Sequence, residues 1–227
     1  MHLYETHLHT YPVSKCSISD VAEVVNFYKE LGYTGIFITN HFLDGNINTD
    51  RELPYEEKIN FYFSDYENAK KLGEKIGLDV FFGAELSYKG TDFLIYGLDK
   101  EWFLSHPEIM RMSKTEELTL MANEGALIIQ AHPFREASYI DHIRLYPRHV
   151  HGIETINANR TEFENDMAKL YAKNYYLLPF AGTDNHRGKA QTKLAGIKLS
   201  SKIESEYDFV QRIKNGEHKI FHKELGE

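Results

Sequence analysis

Short β-branched apolar runs alternate with longer amphipathic ones along the whole chain, and this alternation constrains the fold most. Thr34-Gly35-Ile36-Phe37-Ile38-Thr39 reads as a buried strand bounded by turn-forming residues. Before it, Ser19 is the expected N-cap of a helix whose Val21, Val24, Val25, Tyr28 and Leu31 share one face. A helix is expected over 56–76, ending near Gly77, then strands at 79–84 and 92–96. Helical patterns follow at 115–123, 162–173 and 204–214, and strand patterns at 126–130, 150–156, 176–180 and 196–199. Such alternation implies parallel strands joined by helical crossovers. No Pro/Ser-rich linker, low-complexity tract or repeat interrupts it, so one domain over residues 1–227 is expected.

Strand–helix alternation fits both a closed barrel and an open sheet. The residues at the strand ends favour the barrel. His7 and His9, His41, Glu85, His132 and Asp184 each stand at or just beyond a different strand pattern. A barrel gathers its C-terminal strand ends around one axis, so these distant residues can meet; an open sheet spreads them along a line.

The residue types point to metal chemistry. In His7-Leu8-His9 two imidazoles point the same way if the segment is extended. Asn40-His41 adds a third after an apolar strand, and Gly83-Ala84-Glu85 adds a carboxylate. His132-Pro133 ends another strand, and Asp184-Asn185-His186 supplies an acid and an imidazole on one face. A mixed imidazole and carboxylate set suits divalent zinc, manganese or iron. Glu154 lies inside a strand, either supporting a ligand or paired in the interior. A lone cysteine is usually buried and inert, and that is the expectation for Cys16.

In the same order along nearly the whole chain, these motifs resemble those of the PHP (polymerase and histidinol phosphatase) superfamily of metal-dependent phosphoesterases. The resemblance implies a distorted, TIM-like (β/α)7 barrel with two to three divalent ions at the C-terminal ends of its strands. By that likeness His7, His9, Glu85 and Asp184 hold one ion, and Glu85 bridges to a second on His132. His41 and His186 serve a third. Two positions depart from the fullest family pattern. Lys15 stands where some members have a histidine, and Asp99 stands where they have another. Asp99 can ligate in a histidine's place, whereas a protonated Lys15 has no lone pair to offer. A firmly bound pair and a weak or absent third ion are therefore predicted.

A water between two cations is acidified and becomes a hydroxide nucleophile near neutral pH. The expected reaction is hydrolysis of a small organic phosphomonoester. Arg135, Arg160 and Arg187 are the candidate phosphate binders, because guanidinium forks match phosphate oxygens. Lys15 would add a point charge. His186 or Asp99 is the candidate leaving-group acid.

Composition bears on the partner. Lys and Arg total 26 against 34 Asp and Glu, a net charge of −8, so a nucleic-acid partner is not expected. The longest apolar runs are too short to span a bilayer. The single Cys16 and the absence of a leader-like start lead to the expectation of a cytoplasmic protein without a disulfide framework. Two other hydrolases share the residue types: a phosphodiesterase or nuclease acting on oligonucleotide ends, and an amidohydrolase-like enzyme acting on amides or lactones. A non-catalytic binding module would be expected to lack some of the ligands, and this chain retains nearly all.

Overall fold

Apolar spacing sets the helices and local caps end them. In the computed structural model, which describes residues 1–226, α1 (Val21–Glu30) buries Val24, Val25 and Tyr28. Its N-cap is Asp20, whose side chain accepts from the Glu23 N–H; Ser19, the expected cap, instead donates to the Glu23 carboxylate. The helix α2 (Tyr55–Ile76) buries Ile59, Tyr62, Phe63 and Ala69 and stops where Gly77 turns left-handed at φ 74°. The helices α3 (Lys100–Ser105), α4 (Lys114–Asn123), α5 (Glu162–Tyr175) and α6 (Glu206–Lys214) follow. Capping boxes from Ser113 with Glu116 and Thr161 with Glu164 start α4 and α5. No helix among the described residues is long and apolar enough to cross a membrane.

Among the described residues nine strands form one sheet: β1 (His2–Glu5), β2 (Gly35–Ile38), β3 (Asp79–Tyr88), β4 (Thr91–Tyr96), β5 (Leu127–Ala131), β6 (Gly152–Asn157), β7 (Leu178–Gly182), β8 (Lys193–Leu199) and β9 (Lys219–Glu224). Their order is β7-β6-β5-β4-β3-β2-β1-β8-β9. Pairing is parallel through β1-β2-β3 and again through β5-β6-β7.

The expected all-parallel order fails at β4, which runs antiparallel to both neighbours. Only Lys89 and Gly90, at φ 51° and 82°, separate it from β3. A parallel partner needs a crossover of a dozen or more residues, whereas two residues with positive φ make a hairpin. Strands β8 and β9 also run antiparallel to their neighbours, and β9 was not expected from its polar sequence.

The sheet curls into a nearly closed barrel. Beyond β1 and β7, Leu8 bridges Asn185 in parallel, with Asn185 N donating to His7 O and His9 N donating to Asn185 O. Inside, the ring of Tyr96 on β4 meets Phe37 on β2 and Phe180 on β7, strands that are not its neighbours in the sheet. Phe209 of α6 packs on Phe37 and Tyr96 and closes the end from which the parallel strands start. The opposite end is left to polar residues.

Candidate metal centre

Glu85, inside β3, is the hub of that polar end. Its Oε1 lies 3.1 Å from His7 Nε2 and 3.4 Å from His132 Nε2. Its Oε2 lies 2.7 Å from His41 Nδ1 and 3.4 Å from His9 Nε2. Asp184 stands opposite, with Oδ1 3.5 Å from His7 Nε2, 3.4 Å from His9 Nε2 and 3.2 Å from His186 Nδ1. His7 and His9 follow β1, His41 follows β2, His132 follows β5, and Asp184 and His186 follow β7. Distant segments thus converge as the strand-end reading expects. His132 and Asp184 hold left-handed backbone at φ 25° and 59°, a strained conformation for such residues that tends to mark functional sites.

Donor chemistry tests whether a cation fits. Two donors about 2.1 Å from one ion lie roughly 3.0–3.4 Å apart, and most of the contacts around Glu85 and Asp184 have that spacing. His7 Nε2 and His9 Nε2 are buried and have no hydrogen-bond partner. Buried polar atoms are normally paired, so two converging orphans beside Glu85 and Asp184 call for a ligand. Three groups have donor atoms within 4.8 Å of one another: His7, His9 and Asp184; His7, Glu85 and His132; and His9, His41 and His186. The residues fit divalent cations.

Electrostatics agree. Burial alone would raise Glu85, but His41, His7 and His9 outweigh it and hold the carboxyl well below its usual range. Asp184 is likewise held low against burial, by His7, His186 and His9. Burial and its imidazole neighbours His186 and His41 keep His9 neutral, the form that can ligate.

A second tier holds the ligands. His7 Nδ1 lies 2.9 Å from Glu154 Oε1, and His9 Nδ1 lies 3.1 Å from Ser14 Oγ. Ser14 Oγ in turn donates to Asn40 Oδ1 at 2.8 Å and accepts from His41 N at 3.0 Å. Glu5 Oε1 accepts from the N–H groups of Thr6, His7 and Thr183, and Oε2 accepts from Tyr28 and Thr183 hydroxyls. Burial pushes the Glu5 carboxyl up to about 7 in spite of those donors. Glu154 is thus in contact with a candidate ligand, one of its two expected roles, while Glu5 was not singled out in the sequence.

Above the cluster a cavity of about 580 Å³ opens to solvent. Arg135, Arg160 and Arg187 line it beside His41, Glu85, His132, Asp184 and His186. Lys89, in the β3–β4 turn, also lines it and escaped the sequence reading. Arg160 Nε is buried without a partner. Lys15, expected to contact phosphate, is exposed and is not among the lining residues.

Asp99, expected as a ligand or acid, also stands apart from the cluster. It caps α3, accepting from Trp102 N at 2.8 Å, and does not line the cavity. Because β4 is reversed, the residue beyond its end faces away from the site and the residue near its start faces into it. That residue is Asp92, opposite Ser87 in the β3 register. Its Oδ2 lies 3.9 Å from His132 Nε2 and 3.5 Å from Arg135 Nη1. A gap of seven residues without a helical pattern between the expected strands was the available signal for the hairpin. Cys16, expected to be buried, is exposed and lines the cavity. Burial raises its thiol, but His186 and His41 more than offset this and bring it down to about 6.

No family model matches the chain, nor does any curated protein. Solved structures do. One is a two-domain protein from Bacteroides vulgatus ATCC 8482, predicted to contain a PHP-like metal-dependent phosphoesterase. It is 14% identical with a TM-score of 0.71 over 97% of this chain, which spans 64% of that protein's length. A second, from Bifidobacterium adolescentis ATCC 15703, is proposed to be a metal-dependent phosphoesterase. It is 14% identical, with a TM-score of 0.57 over 93% of this chain and 95% of its own. A third, an amidohydrolase from Chromobacterium violaceum with bound sulfate and no metal, is 13% identical. Its TM-score is 0.52, over 83% of this chain and 89% of its own. The chain therefore has the fold of PHP-like metal-dependent phosphoesterases, the fold its strand-end motifs imply.

Proposed function

We propose that this chain is a metal-dependent phosphoesterase acting on small organic phosphomonoesters. One observation carries the reading: buried donors of His7, His9, Glu85, His132 and Asp184 meet beneath a cavity also lined by Arg135, Arg160, Arg187 and Lys89. His7, His9 and Asp184 would hold one divalent cation, zinc, manganese or iron, and Glu85 with His132 a second. When bound, such ions supply Lewis acidity that polarises a phosphoryl oxygen and activates water for attack.

The protein's own groups do the rest. Guanidinium forks at the cavity wall bind phosphate oxygens and orient the phosphorus for in-line displacement. Asp92 sits 3.5 Å from Arg135 and steadies that side chain toward the cavity. Glu154 keeps the Nδ1 proton of His7 and so leaves Nε2 free for the site. At about 580 Å³ the cavity is in the range of small-molecule pockets, which favours a compact monoester over an oligonucleotide.

Similarity to an amidohydrolase supports a second reading, hydrolysis of an amide or lactone. Four cationic side chains around the cavity argue for the phosphate ester instead. The test is phosphate release from a panel of monoesters by the metal-loaded protein, with His9→Ala and Asp184→Ala alongside. Turnover by wild type and loss in both variants is expected. Equal activity in all three, or cleavage only of amides and lactones, would overturn the proposal.

A further inference from the structure

A chain of buried polar side chains runs from α2 to the metal centre. Asp65, 2% exposed on α2, accepts on its Oδ2 from the Thr10 hydroxyl at 2.8 Å and from Val13 N at 3.2 Å. The same helix grips Asn40, whose carbonyl accepts from the Tyr62 hydroxyl at 3.0 Å. Thr10, Asn40 and Ser14 complete the chain, and all three are buried.

Each proton along it is placed by atoms that can only donate or only accept. Thr10 N lies 2.7 Å from the Asn40 side chain. A backbone N–H only donates, so the amide turns its oxygen there and its Nδ2 toward Thr10 Oγ1, 2.8 Å away. That hydroxyl therefore accepts from Asn40 and gives its own proton to Asp65. Asn40 Oδ1 also faces Ser14 Oγ at 2.8 Å, and an amide oxygen only accepts, so the Ser14 proton points at Asn40. Ser14 Oγ is left with two lone pairs. One takes the His41 N–H at 3.0 Å, and the other faces His9 Nδ1 at 3.1 Å.

We propose that Ser14 is a positioning residue that holds the His9 proton on Nδ1 and so leaves Nε2 with a bare lone pair aimed at the cation site. The direction is imposed from α2, through Asp65, Thr10 and Asn40. His9 Nε2 is buried without a partner and lies 3.4 Å from both Glu85 Oε2 and Asp184 Oδ1. With no proton on Nε2, three electron-rich atoms face one another, an arrangement that a divalent cation relieves. The inference rests on the functional reading above and deepens it. His7 takes its tautomer from the Glu154 carboxylate, whereas His9 takes it from a neutral hydroxyl whose own proton is already committed.

Nitrogen-15 NMR of histidine-labelled protein reads the tautomer directly, because protonated and bare ring nitrogens resonate far apart. The spectrum is taken on metal-stripped protein at about pH 8.5, roughly two units above the ordinary imidazole value. The His9 signals are identified by their absence from His9→Gln. Wild type is expected to carry the His9 proton on Nδ1. Ser14→Ala should populate the Nε2–H form and bind zinc about 10–100-fold more weakly in chelator competition. Ser14→Thr, which restores a hydroxyl, should recover both. A proton on Nε2 in wild type, or wild-type tautomer and zinc affinity in Ser14→Ala, would overturn the relay. The tautomer is read without substrate, so Nε2–H alongside phosphomonoester turnover would sink this inference alone. Nδ1–H without phosphomonoester turnover would sink only the proposed substrate class.

Discussion

Glu154 Oε1 stands 2.9 Å from His7 Nδ1, and its Oε2 accepts from His132 N and from Asn157 Nδ2, each at 2.9 Å. One carboxylate on β6 therefore fixes the ring of one candidate ligand and the backbone of another. Outer partners of this kind set the tautomer and basicity of a ligating imidazole. Glu154→Gln keeps the shape but presents an amide N–H to one of the donors it faces. Metal affinity is expected to fall about 10–100-fold, read by competition with a chelator. An unchanged affinity would mean that Glu154 is only a buried partner.

Asp92 and Asp99 make a paired test of the reversed strand. Asp92 faces His132 and Arg135, so Asp92→Asn should lower phosphomonoester turnover and weaken the ion beside His132. Asp99 caps α3 through Trp102 N, so Asp99→Ala should leave metal content alone and cost about 1 kcal/mol of stability. Chemical unfolding and metal analysis on both variants decide it; the opposite pattern would restore Asp99 as the ligand.

That contrast also shows what the sequence could and could not convey. His7, His41, His132 and Asp184 were legible because parallel strands all bring their C-terminal ends to the same side. The same rule misled at β4, where the Lys89-Gly90 turn reverses the chain and exchanges Asp99 for Asp92. Cys16 and Lys89 lie in a loop and a turn, whose paths depend on tertiary hydrogen bonds that no periodicity announces. Glu5 was hidden for another reason. It ends a short strand of intermediate and buried residues, and only the fold brings Thr183 and Tyr28 to it.

Gly182 shows how closely the strand ends are packed. A Cβ there would collide with His7 Cβ and come within 2.8 Å of Glu154 Oε1. Neither neighbour can retreat without moving the pair that orients His7. Gly182→Ala should therefore cost roughly 1–3 kcal/mol by overpacking and weaken metal binding as well. Thermal unfolding with and without added zinc checks both, and a variant as stable and as metal-replete as wild type would contradict the packing described.

Arg135 and Arg160 line the cavity, and the proposed function has them bind phosphate. Loss of one charged hydrogen bond costs about 1.5–3 kcal/mol, so Arg160→Ala should weaken competitive inhibition by inorganic phosphate at least roughly tenfold. Its buried Nε has no other partner, so the side chain is free to take an anion. Arg135→Ala should act likewise, with an added effect through Asp92. Metal content is expected to be unchanged in both, which separates these variants from those of the ligands. Inhibition by phosphate equal to wild type in both would remove the arginines from the binding step.

His151 gives a pH dependence that owes nothing to the metal cluster. Burial, then the charge of Lys214, lowers its pKa from 6.5 to about 4. Its Nδ1 accepts from Ile128 N at 3.1 Å, a contact open only to the neutral ring. The folded state thus takes up a proton less readily than the unfolded chain, whose histidine titrates near 6.5. Stability from this residue is complete above that value and drains away as pH falls from about 6.5 toward 4. After allowance for the part of the ring that meets solvent, the loss by about pH 5 amounts to roughly 1–2 kcal/mol. His151→Gln can still accept the Ile128 N–H but does not titrate. Its stability relative to wild type should therefore improve by that amount between about pH 7 and pH 5 in denaturant unfolding. A difference that stays constant across that interval would mean that folding does not lower the His151 pKa.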